Sequence, residues 1–273
     1  MKPRVFLITG AGSGIGFELA RQAAARGNIV YAGIRNLSKW KAPAESARPI
    51  QLDVNAQDQV DACINQIQKD AGPVDVLVNN AGFGVYGAFE ELTEVQIREQ
   101  YETNLFGCMR MVRAVLPQMR ERRSGTVVNV SSILGRLTIP TGSAYTGSKF
   151  ALEAFTETLR YEVKPFGVKV FAVEPGLIRT RFKDNMVRSN RVEDSASPYR
   201  FLNRMIQRDY PGFSTSPQRA ASRILTFINR RNPSRRYRVG LDAIFYNRLI
   251  EWFPDSFIAA LVQIGVNTSY KKS

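Results

Sequence analysis

Tyr145-Thr146-Gly147-Ser148-Lys149 places a phenol and an ammonium four residues apart. On a helix, that spacing puts both on one face. A free tyrosine ionises near pH 10, too high to lose its proton easily at neutral pH. A neighbouring ammonium favours the phenolate and is expected to lower that value. The phenol then becomes a usable acid for reducing a carbonyl, or a usable base for oxidising an alcohol. Gly125–Ser131 reads as a strand, so Ser131 and Ser132 fall at or just past its carboxyl end, where open α/β sheets bind ligands. Either hydroxyl can hold a substrate oxygen beside the phenol, or simply cap the turn. The chain contains no histidine, which excludes histidine bases, triads and metal ligands. No metal is expected.

A second group of residues suits phosphate. Thr9-Gly10-Ala11-Gly12-Ser13-Gly14-Ile15-Gly16 joins a strand-like Val5–Thr9 to a helix-like Ile15–Arg26. Glycines allow positive φ and close approach of the backbone to a pyrophosphate, and the helix start supplies N–H donors. The residue that reads the adenosine ribose is expected about 20 residues later, at the end of the second strand. The sequence there is Gly33-Ile34-Arg35-Asn36. It has no carboxylate to repel a 2′-phosphate, and Arg35 can pair with one, so the expected cofactor is NADP(H).

These residues need elements to position them. Ile29–Arg35, Pro49–Asp53, Val74–Val78 and Val168–Glu174 are further apolar strands, with a last one at Tyr237–Gly240. Helical periods at Asp58–Asp70, Val95–Met119 and Ser143–Lys164 lie between them. Alternation of this kind predicts an α/β fold: one doubly wound parallel sheet covered on both faces. Residues 181–215 fall outside it and are expected to form a substrate lid, with Phe182, Met186, Tyr199, Phe201 and Met205 as apolar liners. Ser216-Pro217 opens a helix to about Arg231. Residues 243–266 read as a tail of short helices. No linker or repeat divides the chain, so 1–273 is expected to be a single domain.

The glycine segment, Asn79-Asn80-Ala81-Gly82 and the Ser-Tyr-Lys set together resemble the short-chain dehydrogenase/reductase family over about residues 4–240, most closely its 17β-hydroxysteroid and retinol dehydrogenase branch. The resemblance implies a Rossmann-type fold and a catalytic tetrad of Asn104, Ser132, Tyr145 and Lys149. The family's usual interval of thirteen residues before the tyrosine selects Ser132 over Ser131. Tyr145 would protonate the substrate oxygen and Ser132 would polarise it. Lys149 would bond the nicotinamide ribose, and Asn104 would hold a relay water. Thr9, Gly10, Ser13, Gly14, Ile15 and Gly16 would cradle the cofactor, with Asp53 at the adenine and Asn80 on the cofactor side. Pro175, Gly176 and Thr180 would meet the nicotinamide carboxamide. The branch implies a bulky, apolar carbonyl or alcohol of steroid, retinoid or polyketide type. Family assembly implies a homodimer or homotetramer through Leu92–Met119 and Ser143–Lys164. A catalytically idle NADP-binding regulator or scaffold is the alternative, and the complete tetrad argues against it.

Bulk properties narrow the setting. The chain of 273 residues is 44% hydrophobic, which supports a sizeable core. Met1-Lys2-Pro3-Arg4 leads straight into a strand, and a cytoplasmic location is expected. Cys63 and Cys108 are expected to be reduced core thiols. The net charge is +14, concentrated in the second half. A basic stretch could meet nucleic acid, but no recognition module accompanies it, and none is expected to bind. The tail carries Phe245, Tyr246, Trp252, Phe253 and Phe257, interrupted by Arg248, Glu251 and Asp255, so it cannot span a bilayer. It is expected to cover the pocket or a dimer interface. The other possibility is peripheral membrane contact, with Arg230, Arg231, Arg235, Arg236 and Arg238 facing anionic headgroups.

Overall fold

Apolar strands buried on both faces have no polar edge to show, and they assemble here into one sheet. β1 (Val5–Thr9), β2 (Ile29–Ile34), β3 (Ala47–Gln51), β4 (Val76–Asn79), β6 (Gly125–Val130), β7 (Val168–Pro175) and β9 (Arg236–Val239) pair in the order β3-β2-β1-β4-β6-β7-β9, every pair parallel. The computed structural model describes residues 2–40, 47–207 and 214–271, without the side chains of Lys39, Met205, Ile206 and Gln207. The expected liner Met205, part of the expected lid at 208–213 and the last two tail residues thus fall outside the described residues.

Alternate side chains of β1 enter two cores. Phe6 and Ile8 pack on one side with α1 (Gly14–Ala25) and α7 (Pro217–Ile228). Val5 and Leu7 pack on the other with α2 (Gln57–Ala71), α4 (Cys108–Glu121) and α5 (Ser143–Val163). Strand order reverses between β1 and β4, so the loops leaving their carboxyl ends diverge and open a crevice. Ser216 caps α7 by accepting from Arg219 N at 3.2 Å, with Pro217 in the first turn as expected.

Three boundaries differ from the sequence reading. β3 starts two residues earlier than Pro49 and ends at Gln51, because an edge strand with three exposed positions lacks the apolar signal of its neighbours. The helix expected over Val95–Met119 is broken into α3 (Glu94–Tyr101), a π-helical turn at Glu102–Gly107, and α4. The tail forms two full helices, α8 (Leu241–Trp252) and α9 (Asp255–Lys271). The lid segment holds α6 (Arg200–Gln207) and is stitched down by a two-residue ladder in which β5 (Val85–Tyr86) pairs with β8 (Val187–Arg188).

Cys63 and Cys108 are free and buried. Burial pushes both thiols up to about 12, so they are inert packing groups.

The carboxyl end of β7 carries Glu174, fully buried. Arg236 and Arg238 of β9 approach its carboxylate at 3.3 and 3.4 Å. Arg236 also holds Glu153 at 2.9 Å and Glu157 at 2.8 Å, while Arg235 holds Glu157 and Arg238 holds Glu251. Of the arginines that the membrane alternative would turn to headgroups, Arg235, Arg236 and Arg238 are instead engaged in ion pairs within the chain. Burial, with Glu153 nearby, pushes the Glu174 carboxyl up to about 7. A carboxyl raised in the folded state binds more protons there than in the unfolded chain, so its contribution to stability is complete below about pH 4.5 and is lost as pH rises through about 7. Arg236→Met removes the partner of buried carboxylates and is expected to cost about 3 kcal/mol at about pH 8. The cost should shrink at about pH 5, where Glu174 is protonated. Denaturant titrations at both pH values check this; an equal loss at both would contradict it.

Candidate active site

α5 begins beside the carboxyl end of β6, and its first two turns carry Tyr145 and Lys149. Both are buried, each with 6% of its surface exposed. The Lys149 ammonium has left water and donates to Val130 O, the last carbonyl of β6, at 2.9 Å. Its Nζ lies 5.8 Å from the centre of the Tyr145 ring. Tyr86 of β5 covers that ring at 5.4 Å between centroids, and Phe182 of the lid meets it edge-on at 5.8 Å.

This dryness reverses one expectation. Burial pushes the Tyr145 phenol up to about 12, with a hydrogen bond from Ser132 acting in the opposite direction. The Lys149 ammonium is bonded to Val130 O. Burial instead pulls Lys149 down to about 8, while Cys108 and Glu153 favour its charged form. Below about pH 8 the site therefore holds a neutral phenol and a charged ammonium.

Ser132 follows β6 directly. Its Oγ accepts from Leu134 N at 3.1 Å, which leaves the hydroxyl proton free to donate. Ser131 is buried too, but it lies against Gly135 on the far side of the turn: a Cβ at Gly135 would come 2.8 Å from its Oγ. Asn104 sits in the π-helical turn between α3 and α4. Its Nδ2 donates to Phe83 O at 3.0 Å, and its Oδ1 accepts from Phe83 N at 3.2 Å. A Cβ on Gly82 would lie 2.9 Å from Asn104 Oδ1 and 3.8 Å from Lys149 Nζ, so this glycine keeps open the space between the two side chains.

The phosphate loop fits a pyrophosphate. Gly14 has φ of +59°, and Gly16 has no room for a side chain, since a Cβ would come 2.4 Å from Asn80 Nδ2. Ser13 precedes α1 but its side chain makes no cap, which leaves that hydroxyl and the first-turn amides, Ile15 among them, for an anion. Asn80 donates to Thr9 O and Gly10 O at 3.0 and 3.1 Å, bracing the loop from β4. The Thr9 hydroxyl accepts from Asn80 N and Ala81 N, so it shapes the loop from beneath rather than facing a ligand. Thr180 closes over the loop within 3.1 Å of a Cβ at Gly14. Arg35 stands exposed at the end of β2, with no ion pair among the described residues. Asp53 lies just beyond β3 and accepts from Asn55 N at 3.0 Å.

The sequence matches the short chain dehydrogenase family model over residues 4–191. It is 36% identical to a 3-ketodihydrosphingosine reductase of Bacteroides thetaiotaomicron, covering 97% of this chain and 98% of that one. The chain belongs to the short-chain dehydrogenase/reductase family. Retinol dehydrogenase 8 of Bos taurus is 36% identical over 86% of this chain and 81% of its own. A short-chain dehydrogenase from Streptomyces avermitilis has the same fold, with a TM-score of 0.79, 36% identity and coverage of 100% and 99%. An actinorhodin polyketide ketoreductase variant with NADPH superposes with a TM-score of 0.75 at 29% identity, covering 87% and 95%. The protein is thus a carbonyl/alcohol oxidoreductase of a family that uses NAD(P).

Within this short-chain dehydrogenase, several site-forming residues carried no sequence signal. Tyr86 sits on a two-residue strand, too short for periodicity to reveal. Gln100 is fully buried and pins the loop over the site, donating to Phe83 O at 2.8 Å and accepting from Val85 N at 2.6 Å. Asp242 reaches back from α8 and accepts from Leu177 N, holding the turn after Pro175-Gly176. Gly176 N donates to Val239 O at 2.9 Å, in the strand expected at Tyr237–Gly240.

Filling the space beside Lys149 tests its use. Gly82→Ala is expected to lower turnover about tenfold or more by blocking the passage of protons to and from Lys149, with cofactor affinity little changed. Steady-state kinetics would measure both, and unchanged turnover would contradict a role for that space.

Proposed function

We propose that this protein is an NADP(H)-dependent reductase and dehydrogenase interconverting a carbonyl and an alcohol on a bulky, apolar substrate. The observation that carries the reading is the buried Tyr145–Lys149 pair with Ser132 at the end of β6. When bound, the nicotinamide supplies the hydride that reaches the carbonyl carbon. Tyr145 gives its phenolic proton to the carbonyl oxygen, completing the alcohol. Ser132 donates a hydrogen bond to the same oxygen, using the proton left free by its bond from Leu134 N. Lys149 then restores the phenol proton, drawing on the space bordered by Asn104 and Gly82. A neutral phenol at physiological pH suits the reductive direction.

The apolar substrate rests on two features. Tyr86 and Phe182 wall the Tyr145 ring. An apolar cavity of about 780 Å³ reaches Thr146, next to Tyr145 in the chain, and is lined in part by Phe89, Ile139, Pro140 and Leu202 but by neither Tyr145 nor Ser132. Tyr199 of the expected lid also lines it, fixed by its hydroxyl donating to Glu90 at 2.6 Å. Phe201 instead packs against Tyr270 of the tail at 5.1 Å. NADP(H) rather than NAD(H) rests on the exposed Arg35 and the lack of a carboxylate beside it, and the NADPH-bound ketoreductase neighbour agrees. The exposed Phe106, Phe150 and Tyr161, in the turn before α4 and on α5, favour a dimer through these helices, which a light-scattering mass would check.

NADPH oxidation over a panel of lipophilic ketones, aldehydes and decalones tests the activity. Tyr145→Phe is expected to reduce turnover about 10²-fold or more while NADPH binding is retained. No turnover on any member by the native protein, with NADPH bound, would favour an idle binding protein instead. Arg35→Ala is expected to weaken NADPH about tenfold or more, the loss of one charged hydrogen bond, and leave NADH unchanged. Equal loss for both cofactors in a binding titration would contradict the assignment to the 2′-phosphate.

A further inference from the structure

The tail keeps its apolar residues outside. More than half of the exposed large hydrophobic side chains among the described residues lie between Leu241 and Tyr270. α9 has no buried residue. Its half-buried stripe, Ile258, Val262 and Val266, leaves a second stripe of Phe257, Leu261 and Ile264 exposed at positions i, i+4 and i+7. α8 adds Phe245 at 62% exposure and Trp252 at 73%. Leaving such surface in water is costly.

Charge is sorted around this surface. The acids of α8 are turned inward or neutralised: Asp242 is buried on Leu177 N, and Glu251 is paired with Arg238. Asp255, at the first turn of α9, is exposed with no ion pair among the described residues. The cations stay out. A groove of about 380 Å³ beside α8 is lined by Arg230, Arg248, Ile244 and Trp252, together with Arg236, Arg238 and the Glu251 that pairs with Arg238. Arg248 lies over the Trp252 ring at 5.9 Å, and Arg230 over Phe227 at 5.0 Å. Neither arginine has an ion pair among the described residues.

We propose that α8 and α9 dock on a bilayer, their aromatic and aliphatic side chains entering the interface while Arg230 and Arg248 take the phosphate of an anionic phospholipid in the groove. Tryptophan and arginine side by side suit the headgroup level, where one end of a group is apolar and the other wet. Neither helix is long and apolar enough to cross a membrane, so the contact lies in the plane of the surface. A second copy fits the patch less well. A two-fold interface centred on it would bring each arginine pair against its own like charges. The docking does not depend on the proposed reaction. It would, however, put α6, which packs on α9, beside the lipid.

Co-sedimentation of the full chain with vesicles tests the proposal. Phosphatidylcholine vesicles containing about 30% phosphatidylglycerol should bind it, pure phosphatidylcholine far less, and added salt should weaken the binding. Arg230→Gln with Arg248→Gln should weaken binding about 30-fold, at about fivefold for each arginine lost and more where both face one headgroup. Trp252→Ser with Phe257→Ser should abolish it, with an unchanged thermal midpoint in each case. In a Trp40→Phe background, Trp252 fluorescence should shift to the blue on anionic vesicles. Failure to pellet at low salt would overturn the proposal, as would binding insensitive to the arginine changes. A light-scattering mass that falls on Trp252→Ser with Phe257→Ser would assign the patch to a second copy instead.

Discussion

An ammonium carried out of water needs a fixed acceptor, and Lys149 finds one in the last carbonyl of β6. That bond sets where α5 can lie. With Nζ at Val130 O, the helix must begin at the carboxyl end of the sheet, and Tyr145, one turn earlier, must stand over the crevice. The same exclusion of water that makes the lysine depend on Val130 also keeps the phenol protonated. Ser132 is the second residue beyond that carbonyl, so one strand end positions three groups. The π-helical turn at Glu102–Gly107 then swings Asn104 under Phe83, and Gly82 keeps the remaining space open. Tyr86 and Phe182 seal the top only because the β5–β8 ladder fastens the lid to the loop after β4.

Much of this was legible before any coordinates. Near-continuous apolar strands and helical periods marked the doubly wound sheet, since burial on both faces leaves that pattern. The i, i+4 spacing of Tyr145 and Lys149, and the glycines after β1, marked the two halves of the site. What could not be read depends on contacts between distant segments. Gln100 and Asp242 look like ordinary polar helix residues until their partners, Phe83 and Leu177, are placed beside them. Tyr86 lies on a strand of two residues. The acidity of Tyr145 was misjudged for a related reason: spacing shows that a lysine is near, but not how dry the site is.

Arginine shows the same limit. A run such as Arg235, Arg236 and Arg238 reads as a basic surface, yet β9 turns it onto Glu153, Glu157, Glu174 and Glu251. These carboxylates come from α5, β7 and α8, and only the fold brings them together. Such buried pairs contribute little net stability over apolar residues, but they penalise any arrangement in which one partner is missing. The network therefore fixes β9 against β7, and through β9 the start of α8, whose Asp242 steadies the turn at Gly176 and Leu177. The outward charge left over, Arg230 and Arg248, belongs to a different surface.

The ionisation of Tyr145 in the ligand-free protein tests the central claim most directly, that burial outweighs the neighbouring ammonium. Tyrosine labelled with carbon-13 at Cζ, assigned by comparison with Tyr145→Phe, reports phenolate formation through a large downfield shift. The Tyr145 resonance should remain that of the neutral phenol past about pH 10, the ordinary tyrosine value. A downfield step centred between about pH 7 and 8 would contradict the account, because it would mean that Lys149, not exclusion of water, governs the proton at this site.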